Sequence, residues 1–211
     1  MIITVSNQKG GTGKSTTAAA IATGAAYKGK KTLAIDLDPQ SNLSFIMGAN
    51  PLDVGAYELI TQKSTPAQLI QHTSQGDVIV IDTPPTLGTL LINALAAADK
   101  VIIPLQADIL SLQGLYQLTQ TIRKAQSEYN KGLEIAGILF TRHSSRTLIA
   151  REIIETMEQK AAELNVPILS SAIREGVAVR EAQTLRQSLF EYAPKSKPAQ
   201  DYLELLAEIG L

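Results

Sequence analysis

The protein has 211 residues, of which 45% are hydrophobic, a length and composition that suit one globular domain and leave no room for two ordinary ones. Charged residues make up 18% of the chain and the formal net charge is -1. A protein that coats nucleic acid is usually strongly basic, so any such contact must use a local patch. Cysteine is absent, which excludes disulfides, thiolate metal sites and cysteine nucleophiles.

Short β-branched runs alternate along the chain with longer amphipathic stretches. Strands are predicted at 2–6, 31–35, 77–81, 100–104, 133–140 and, as a last short one, 167–170. Helices are predicted at 14–28, 87–98, 111–129, 146–164, 178–185 and 199–209, with short helices around Tyr57 and Gln68 in the less regular segment 49–76. Strands that are hydrophobic on both faces and separated by helices predict an α/β fold with a doubly wound, mostly parallel sheet flanked by helices. We expect a single domain covering residues 1–211.

Polar side chains directly follow several of the predicted strands. They are Asn7, Lys9, Asp36, Asp38, Asp82 and Thr83. Because ligands of open parallel sheets bind beyond the carboxyl ends of the strands, we expect these residues to converge on one edge and form a site. The N-terminal segment has no basic region or cleavage site, and no apolar run is long enough to span a bilayer, which together predict a cytoplasmic protein.

Residues 10–15 read Gly-Gly-Thr-Gly-Lys-Ser and end in the Gly-Lys-Ser/Thr of a Walker A phosphate-binding loop. Glycines let backbone N–H groups approach phosphate oxygens, and the following helix adds its positive N-terminus. We expect Lys14 to reach the β- and γ-phosphates of ATP and the Ser15 hydroxyl to ligate Mg²⁺. The nucleotide-binding residues predicted in this loop are Gly10, Gly11, Thr12, Gly13, Lys14, Ser15 and Thr16.

Two later strands end in aspartate. Asp36 and Asp38 follow the second strand, where both carboxylates can approach a Mg²⁺-phosphate centre; two acidic residues in a turn are the simpler alternative. Asp82 ends the hydrophobic run 78–81 in the Walker B pattern and is expected to hold the Mg²⁺ shell. That pattern is weak by itself and strong when paired with the loop. The predicted metal-site residues are therefore Ser15, Asp36 and Asp82.

The loop departs from the standard Walker A pattern, because Gln8 stands where the first glycine is expected and a second lysine, Lys9, precedes Gly10. This deviant form resembles the ParA/MinD family of ATPases, and the similarity to its ParA (Soj-like) branch extends to segments 7–11, 36–40, 82–85, 104–106 and 192–199. The resemblance implies a P-loop NTPase fold and an ATP-dependent sandwich homodimer in which Lys9 contacts the partner's nucleotide. It further implies that Asp38 orients the attacking water, and that Thr141 and Arg142 lie near the adenine. Taken alone, Lys9 could equally be a solvated loop lysine.

Three features separate the branches of the family. The tail 201–211 is amphipathic but acidic, whereas the membrane-associated MinD branch ends in a basic amphipathic helix, so no stable membrane association is expected. The phosphate-binding loop follows Met1 closely, so no N-terminal helix-turn-helix domain is expected. Iron–sulfur members need cysteines, which this chain lacks.

ParA-type members bind DNA non-specifically as ATP-bound dimers, so the resemblance predicts a basic patch in the C-terminal third of this chain. The candidate DNA-binding residues are Arg174, Arg180, Arg186, Lys195 and Lys197. Contacts from such residues would go to phosphate, be sensitive to salt and read no sequence. A solvated charged face balanced by neighbouring glutamates is the alternative for any one of them.

The leading hypothesis is a Mg²⁺-dependent ATPase that dimerises with ATP, binds DNA non-specifically, associates with the nucleoid in that state, and positions a plasmid, a chromosome origin or a protein complex. Lys9, Lys14 and Asp38 are its expected catalytic residues, and a ParB-like or other adaptor protein would stimulate hydrolysis. The main alternative is a MinD-like scaffold that docks on a protein or membrane without binding DNA. A small-molecule kinase or ligase using the same loop is a third possibility, which the Asp36–Asp38 segment disfavours.

Overall fold

β-Branched and aliphatic runs form six strands in the part of the chain that the computed structural model describes, which comprises residues 1–49, 77–108, 111–143 and 148–211. The strands are β1 (Ile2–Val5), β2 (Thr32–Asp36), β3 (Val78–Asp82), β4 (Lys100–Leu105), β5 (Glu134–His143) and β6 (Ile168–Arg174). The helices of these residues are α1 (Lys14–Tyr27), α2 (Asn42–Ile46), α3 (Thr89–Ala97), α4 (Ser111–Glu128), α5 (Leu148–Glu163), α6 (Val177–Thr184), α7 (Leu189–Tyr192) and α8 (Lys197–Glu208).

All strand pairs are parallel and join into one sheet in the order β2-β3-β1-β4-β5-β6. The chain lays β2 and β3 on one side of β1 and then β4, β5 and β6 on the other, which makes the carboxyl end of β1 a topological switch point. Val5 pairs with Asp82, and Asp82 pairs with Asp36, so β1, β3 and β2 end level with one another. The predicted doubly wound α/β fold is confirmed, and the sheet is fully parallel.

The sheet is covered on both faces, because its strands carry hydrophobic side chains in both directions. Ile102 packs into one core with α1 and α8, whereas its neighbours Val101 and Ile103 pack into the other with α3, α4 and α5. Helix α1 is rich in alanine and buries residues around much of its circumference. Small side chains there allow α1 to lie close to both the sheet and α8.

Two acidic residues of the C-terminal helix α8, one towards each end, accept hydrogen bonds from β6. Near its start, Asp201 is buried and accepts hydrogen bonds from the backbone N–H and the guanidinium Nε of Arg174, at 2.9 Å and 3.0 Å. At its other end, the Glu208 carboxylate accepts the backbone N–H groups of Ser170 and Ser171 at 2.6 Å and 2.9 Å. The helix thereby occupies polar backbone groups of β6, the last strand of the sheet.

The boundaries of several elements differ from those that the sequence predicts. β5 and β6 continue by three and four residues beyond their predicted ends at 140 and 170. Two short helices, α2 and α7, were not predicted; both are shorter than the window over which helical periodicity is recognisable. The helices predicted around Tyr57 and Gln68 lie outside the described residues. No helix within the described ranges has the length and apolar character needed to cross a membrane.

We predict that Gly24→Ala destabilises the protein, although alanine favours helix formation. A Cβ atom at Gly24 would lie 2.5 Å from Leu206 Cδ1 and 2.9 Å from the Phe190 ring, both of which are fully buried and have little room to move. We expect a loss of about 1–3 kcal/mol in the free energy of unfolding, measured by urea denaturation.

Gly114→Ala in α4 is the matched control, because the nearest atoms to its Cβ belong to Gln8 at 3.7 Å and 3.8 Å, an ordinary contact. That variant should be neutral or gain up to about 1 kcal/mol. An unchanged or raised urea midpoint for Gly24→Ala would contradict the close packing of α1 against α8.

Candidate functional site

The loop between β1 and α1 turns sharply at the carboxyl edge of the sheet. Gly11 and Gly13 adopt φ values of 77° and 88°, a left-handed conformation that side chains with a Cβ rarely take. Gly13 is the N-cap of α1, and its carbonyl accepts the Thr17 N–H at 2.8 Å to begin the helix. Two of the three glycines expected to bind phosphate, Gly11 and Gly13, are therefore required by the backbone path itself.

Carbonyl groups of the loop are held by side chains from neighbouring strands. The Thr141 hydroxyl of β5 donates to the carbonyl of Thr12 at 2.8 Å, and the Gln106 amide, just after β4, donates to the carbonyl of Gly11 at 2.9 Å. These hydrogen bonds fix the orientation of the two carbonyl groups, and a loop whose carbonyls are engaged elsewhere favours presenting its N–H groups to an anion. The resemblance implies a position near the adenine for Thr141; its hydrogen bond here is with the loop.

Asn7 fixes the start of the loop. It is buried, its side-chain amide donates to the carbonyl of Pro104 at 2.6 Å, and its Oδ1 accepts the backbone N–H of Lys9 at 3.0 Å. The main chain of Lys9 is thus tied to the end of β4. The sequence placed Asn7 at the site edge without assigning this role, because the hydrogen bond links residues 97 positions apart.

Lys14 is almost completely buried beneath the loop, and its Nζ donates to the carbonyl of Lys9 at 3.2 Å. Burial lowers the pKa of Lys14, while the nearby carboxylates of Asp82 and Asp38 oppose that shift. A buried ammonium in this position gains from any additional negative charge that enters the loop. This environment fits a phosphate-binding lysine.

Asp82, at the end of β3, has no solvent exposure, and within the described part of the chain neither carboxylate oxygen has a hydrogen-bond partner of good geometry. Burial is the main reason that the pKa of Asp82 is raised to about 7; the nearby Ser15 hydroxyl is the largest opposing influence and Lys14 also opposes the shift, whereas Asp36 and Asp38 add to it. A buried and unpartnered carboxylate next to a phosphate-binding loop fits a Mg²⁺-nucleotide complex, since a hydrated cation would supply the missing interactions.

Asp36 and Asp38 organise the segment after β2 through their own carboxylates. Asp36 accepts the Asp38 N–H at 3.1 Å, and also the backbone N–H and the hydroxyl of Ser44 at 2.8 Å and 2.9 Å. Asp38 is 9% exposed and accepts the Gln40 N–H at 3.0 Å. Both carboxylates influence the pKa of Asp82, so the structure brings the three aspartates together as predicted from the strand ends.

Lys9 does not extend freely into solvent. Its Nζ forms an ion pair with Asp108 Oδ1 at 2.7 Å, and both side chains are about one-third exposed. Burial alone would raise the pKa of Asp108, but hydrogen bonds from Lys9 and Ser111 outweigh it and lower that pKa. Sequence reasoning missed Asp108, because no motif marks it and its partner lies 99 positions away.

A pocket lies beside the loop, between the ends of β5 and β6 and helix α6. It is lined by Gly13, Thr16, Thr141, Arg142, Ile173, Arg174, Glu175, Gly176, Val179, Arg180, Gln183 and Tyr202. Gln183 of α6 donates to the Thr16 hydroxyl at 2.8 Å, which joins this wall to α1. The adenine position implied for Thr141 and Arg142 is therefore adjacent to an open pocket, and α6 forms its far wall.

The predicted DNA-binding residues lie on β6, α6 and the segments that follow, and all five are exposed. Two of them have internal partners. Arg174 is bound to Asp201, and the Arg186 guanidinium stacks 4.3 Å over the ring of Phe45. Lys195 and Lys197 flank the start of α8, and Arg180 faces the pocket beside the loop.

Comparisons with known proteins agree with this site. A family model described as the CobQ/CobB/MinD/ParA nucleotide binding domain matches residues 3–189. The chain is 30% identical over 250 residues to the sporulation initiation inhibitor protein Soj of Bacillus subtilis, covering 99% of this chain and 98% of that protein. It is 33% identical over 243 residues to the chromosome-partitioning ATPase Soj of Treponema pallidum, covering 96% and 94%.

Solved structures share the fold over nearly the whole chain. Cobyrinic acid a,c-diamide synthase from Mycobacterium smegmatis, with a bound ATP analogue and magnesium, is 29% identical and superposes with a TM-score of 0.83, covering 98% of this chain and 92% of that one. The septum site-determining protein MinD of Pyrococcus horikoshii, complexed with Mg-ADP, is 22% identical with a TM-score of 0.80, covering 99% and 95%. The second likeness supports the fold only.

The environment of Asp82 predicts a pH-dependent stability of the nucleotide-free protein. The folded protein retains a proton on Asp82 up to about pH 7, whereas the unfolded chain releases it near the ordinary value of 3.8. The folded state therefore binds more protons in this interval, and stability falls as the pH rises. Between pH 5 and pH 8, the ionisation of Asp82 should lower the free energy of unfolding of the wild type by on the order of 2 kcal/mol. We expect Asp82→Asn to be free of this loss, because asparagine does not ionise.

Urea unfolding in the presence of a chelator, at pH 5 and pH 8, measures this effect. Glu158→Gln is the control, because Glu158 is exposed on α5 and should leave the pH profile of the wild type unchanged. Parallel profiles for wild type and Asp82→Asn would show that the carboxyl ionises normally in the folded state.

Proposed function

The chain belongs to the CobQ/CobB/MinD/ParA nucleotide-binding family, and from that premise we propose that it is a Mg²⁺-dependent ATPase whose ATP-bound homodimer binds DNA non-specifically and positions a cargo. The observation that carries this proposal is the buried Lys14 near Asp82, whose carboxylate has no hydrogen-bond partner of good geometry among the described residues, beneath a loop that opens with a second lysine, Lys9. The similarity to chromosome-partitioning Soj proteins favours a partition role over other roles in the family.

In the proposed complex, the backbone of residues 10–15 would surround the phosphates, and Lys14 would neutralise the β- and γ-phosphates. Mg²⁺ would be held by the Ser15 hydroxyl and, through water, by Asp82, while its charge would stabilise the transferred phosphoryl group. Asp36, which the sequence also predicts for the metal site, accepts hydrogen bonds from Asp38 and Ser44, so it would lie near the metal and hold the Asp38 segment beside it. The buried carboxylate of Asp82, which lacks a hydrogen-bond partner of good geometry within residues 1–49, 77–108, 111–143 and 148–211, is the feature that most favours this assignment.

Lys9 would cross to the nucleotide of a second copy of the chain. Two nucleotides that face each other repel through their phosphates, and a lysine from each protomer reduces that repulsion. The main chain of Lys9 is fixed by Asn7, and its carbonyl accepts Lys14 Nζ, so the two lysines are connected at the loop. Occupancy of the loop and the position of Lys9 are therefore coupled in this proposal.

Asp38 would orient the attacking water. It is buried at 9% exposure near Lys14, and its segment is fixed by the hydrogen bond from its own N–H to Asp36. A carboxylate held in this way can position a water for in-line attack at the γ-phosphate. We expect ATP hydrolysis to stay slow until a ParB-like or other adaptor protein binds.

Two variants separate assembly from hydrolysis. Lys9→Ala should retain nucleotide binding through Lys14, but its ATP-dependent dimerisation should weaken by at least about 10-fold, because the facing phosphates lose the cation that they share.

Asp38→Ala should dimerise with ATP but accumulate the ATP-bound dimer, because the water is no longer oriented. Light scattering reports the dimer and phosphate release reports hydrolysis; normal dimerisation by Lys9→Ala, or normal turnover by Asp38→Ala, would remove the respective role.

The DNA-binding proposal depends most on Lys195 and Lys197. No salt bridge found within the described residues involves either lysine, and both lie at the start of α8, where the helix dipole is already positive. Positive charge placed there is unfavourable unless an anion is near, which suits a phosphate of DNA. Arg174 is the least available candidate because Asp201 holds it.

We predict that random-sequence DNA binds only with ATP, and that Lys195→Ala/Lys197→Ala weakens binding at low salt about 10-fold or more. The slope of log affinity against log salt should become shallower by about 1 for each DNA phosphate that a lysine no longer neutralises. Lys131→Ala is the matched control, since this exposed lysine precedes β5 at the opposite edge of the sheet.

Gel shifts over a range of salt concentrations, with and without ATP, measure this. Equal losses for the control and the double variant would remove the proposed surface. An absence of any shift at low salt with ATP would favour a scaffold that docks on a protein or membrane without contacting DNA.

A further inference from the structure

The ion pair between Lys9 and Asp108 is a strong contact at the loop that nucleotide binding does not explain. Asp108 lies between β4 and α4, and its Oδ1 is 2.7 Å from Lys9 Nζ within the same chain. A lysine whose proposed partner is another protomer's nucleotide is thus already bound to an acid of its own protomer. This contact competes with the crossing position.

Asp108 is held in place independently of Lys9. Ser111 donates its backbone N–H to Asp108 Oδ1 at 3.1 Å and its hydroxyl to Oδ2 at 2.8 Å, and Ser111 is almost completely buried. The acceptor is therefore fixed by the start of α4 before the lysine binds. Only the side chain of Lys9 has to be ordered to form the pair.

The backbone of Lys9 is fixed as well. Asn7 Oδ1 accepts its N–H, and its carbonyl accepts both Lys14 Nζ and the Thr12 hydroxyl, at 3.2 Å and 3.3 Å. The ammonium group can therefore leave Asp108 through side-chain rotation alone, without a movement of the loop. Its destination is decided by which negative charge attracts it more strongly.

We propose that Asp108 is a positioning residue that retains Lys9 inside its own protomer and so sets a threshold for dimerisation, an inference that rests on the proposed function. A triphosphate with Mg²⁺ in a facing protomer offers more charge and more oxygen acceptors than one carboxylate. A facing protomer with an empty loop offers neither, and Lys9 then remains on Asp108. The pair thereby discourages dimers that lack nucleotide.

The solvent exposure of Lys9 and Asp108 limits how much their ion pair can change the dimer dissociation constant. Both side chains are about one-third exposed, so water and salt weaken their attraction, and releasing one pair changes an equilibrium by up to about 5-fold. A symmetric dimer releases two such pairs. The dimer dissociation constant should therefore change by up to about 25-fold when the pair is removed from both protomers.

Asp108→Asn is the decisive variant, because asparagine keeps an oxygen that can accept the Ser111 N–H while removing the charge. Dimerisation is measured by analytical ultracentrifugation at low salt and a saturating non-hydrolysable ATP analogue, over a range of protein concentrations. We expect the dissociation constant of Asp108→Asn to be about 3- to 25-fold lower than that of the wild type.

Asp108→Glu is the rescue control, since it restores the negative charge and should return the constant to within about 2-fold of the wild type. At 0.5 M salt the Debye length is about 4 Å, so the attraction between charges 2.7 Å apart should fall to roughly half and the difference between wild type and Asp108→Asn should shrink accordingly. A packing or folding defect would instead raise the dissociation constant of both variants and would not depend on salt.

The outcomes distinguish this inference from the function on which it rests. A wild type that stays monomeric with the analogue overturns both. A wild type that dimerises while Asp108→Asn gives an equal or higher dissociation constant overturns only the retaining role of Asp108, because the carboxylate would then be neutral or would support Lys9 in the dimer.

Discussion

The constraint on which the site depends is the fixing of loop carbonyl groups by side chains that arrive from β4 and β5. Thr141 and Gln106 hold the carbonyls of Thr12 and Gly11, and these contacts exist only because parallel pairing brings the ends of β1, β4 and β5 to one edge. With those carbonyls engaged, the curvature of the loop is set before any ligand arrives. Such preorganisation reduces the conformational entropy that anion binding would otherwise cost.

The same edge concentrates charge that water cannot reach. Lys14 and Asp82 are both buried; burial lowers the pKa of Lys14 and raises the pKa of Asp82, because the lost hydration outweighs their mutual attraction. The nucleotide-free site is therefore electrostatically unsatisfied. A ligand that brings negative charge to Lys14 and a cation to Asp82 would relieve both costs together, so Mg²⁺ and the nucleotide should reinforce one another's binding.

Local sequence patterns predicted most of the fold. The strand pattern yielded all six observed strands in order, and the family indicated by the loop and its second lysine is confirmed. The sequence could not predict α2 and α7, which are shorter than the helical repeat needs, nor the contacts of Asn7, Gln106 and Asp108. Those contacts join residues about 95 to 99 positions apart, and only the order of strands in the sheet brings them together.

A nearly neutral chain can still respond to nucleotide through a basic surface, provided that the surface acts in pairs. Within one protomer the surface is small, because Asp201 engages Arg174 and the Arg186 guanidinium stacks on Phe45. Two protomers joined by nucleotide would present two such surfaces to one DNA molecule, and the second contact would then form at a high effective concentration. The affinity for DNA would rise steeply on dimerisation without any rearrangement inside the domain. Under this proposal, the transfer of Lys9 from Asp108 to the nucleotide across the interface would convert nucleotide binding into attachment to DNA.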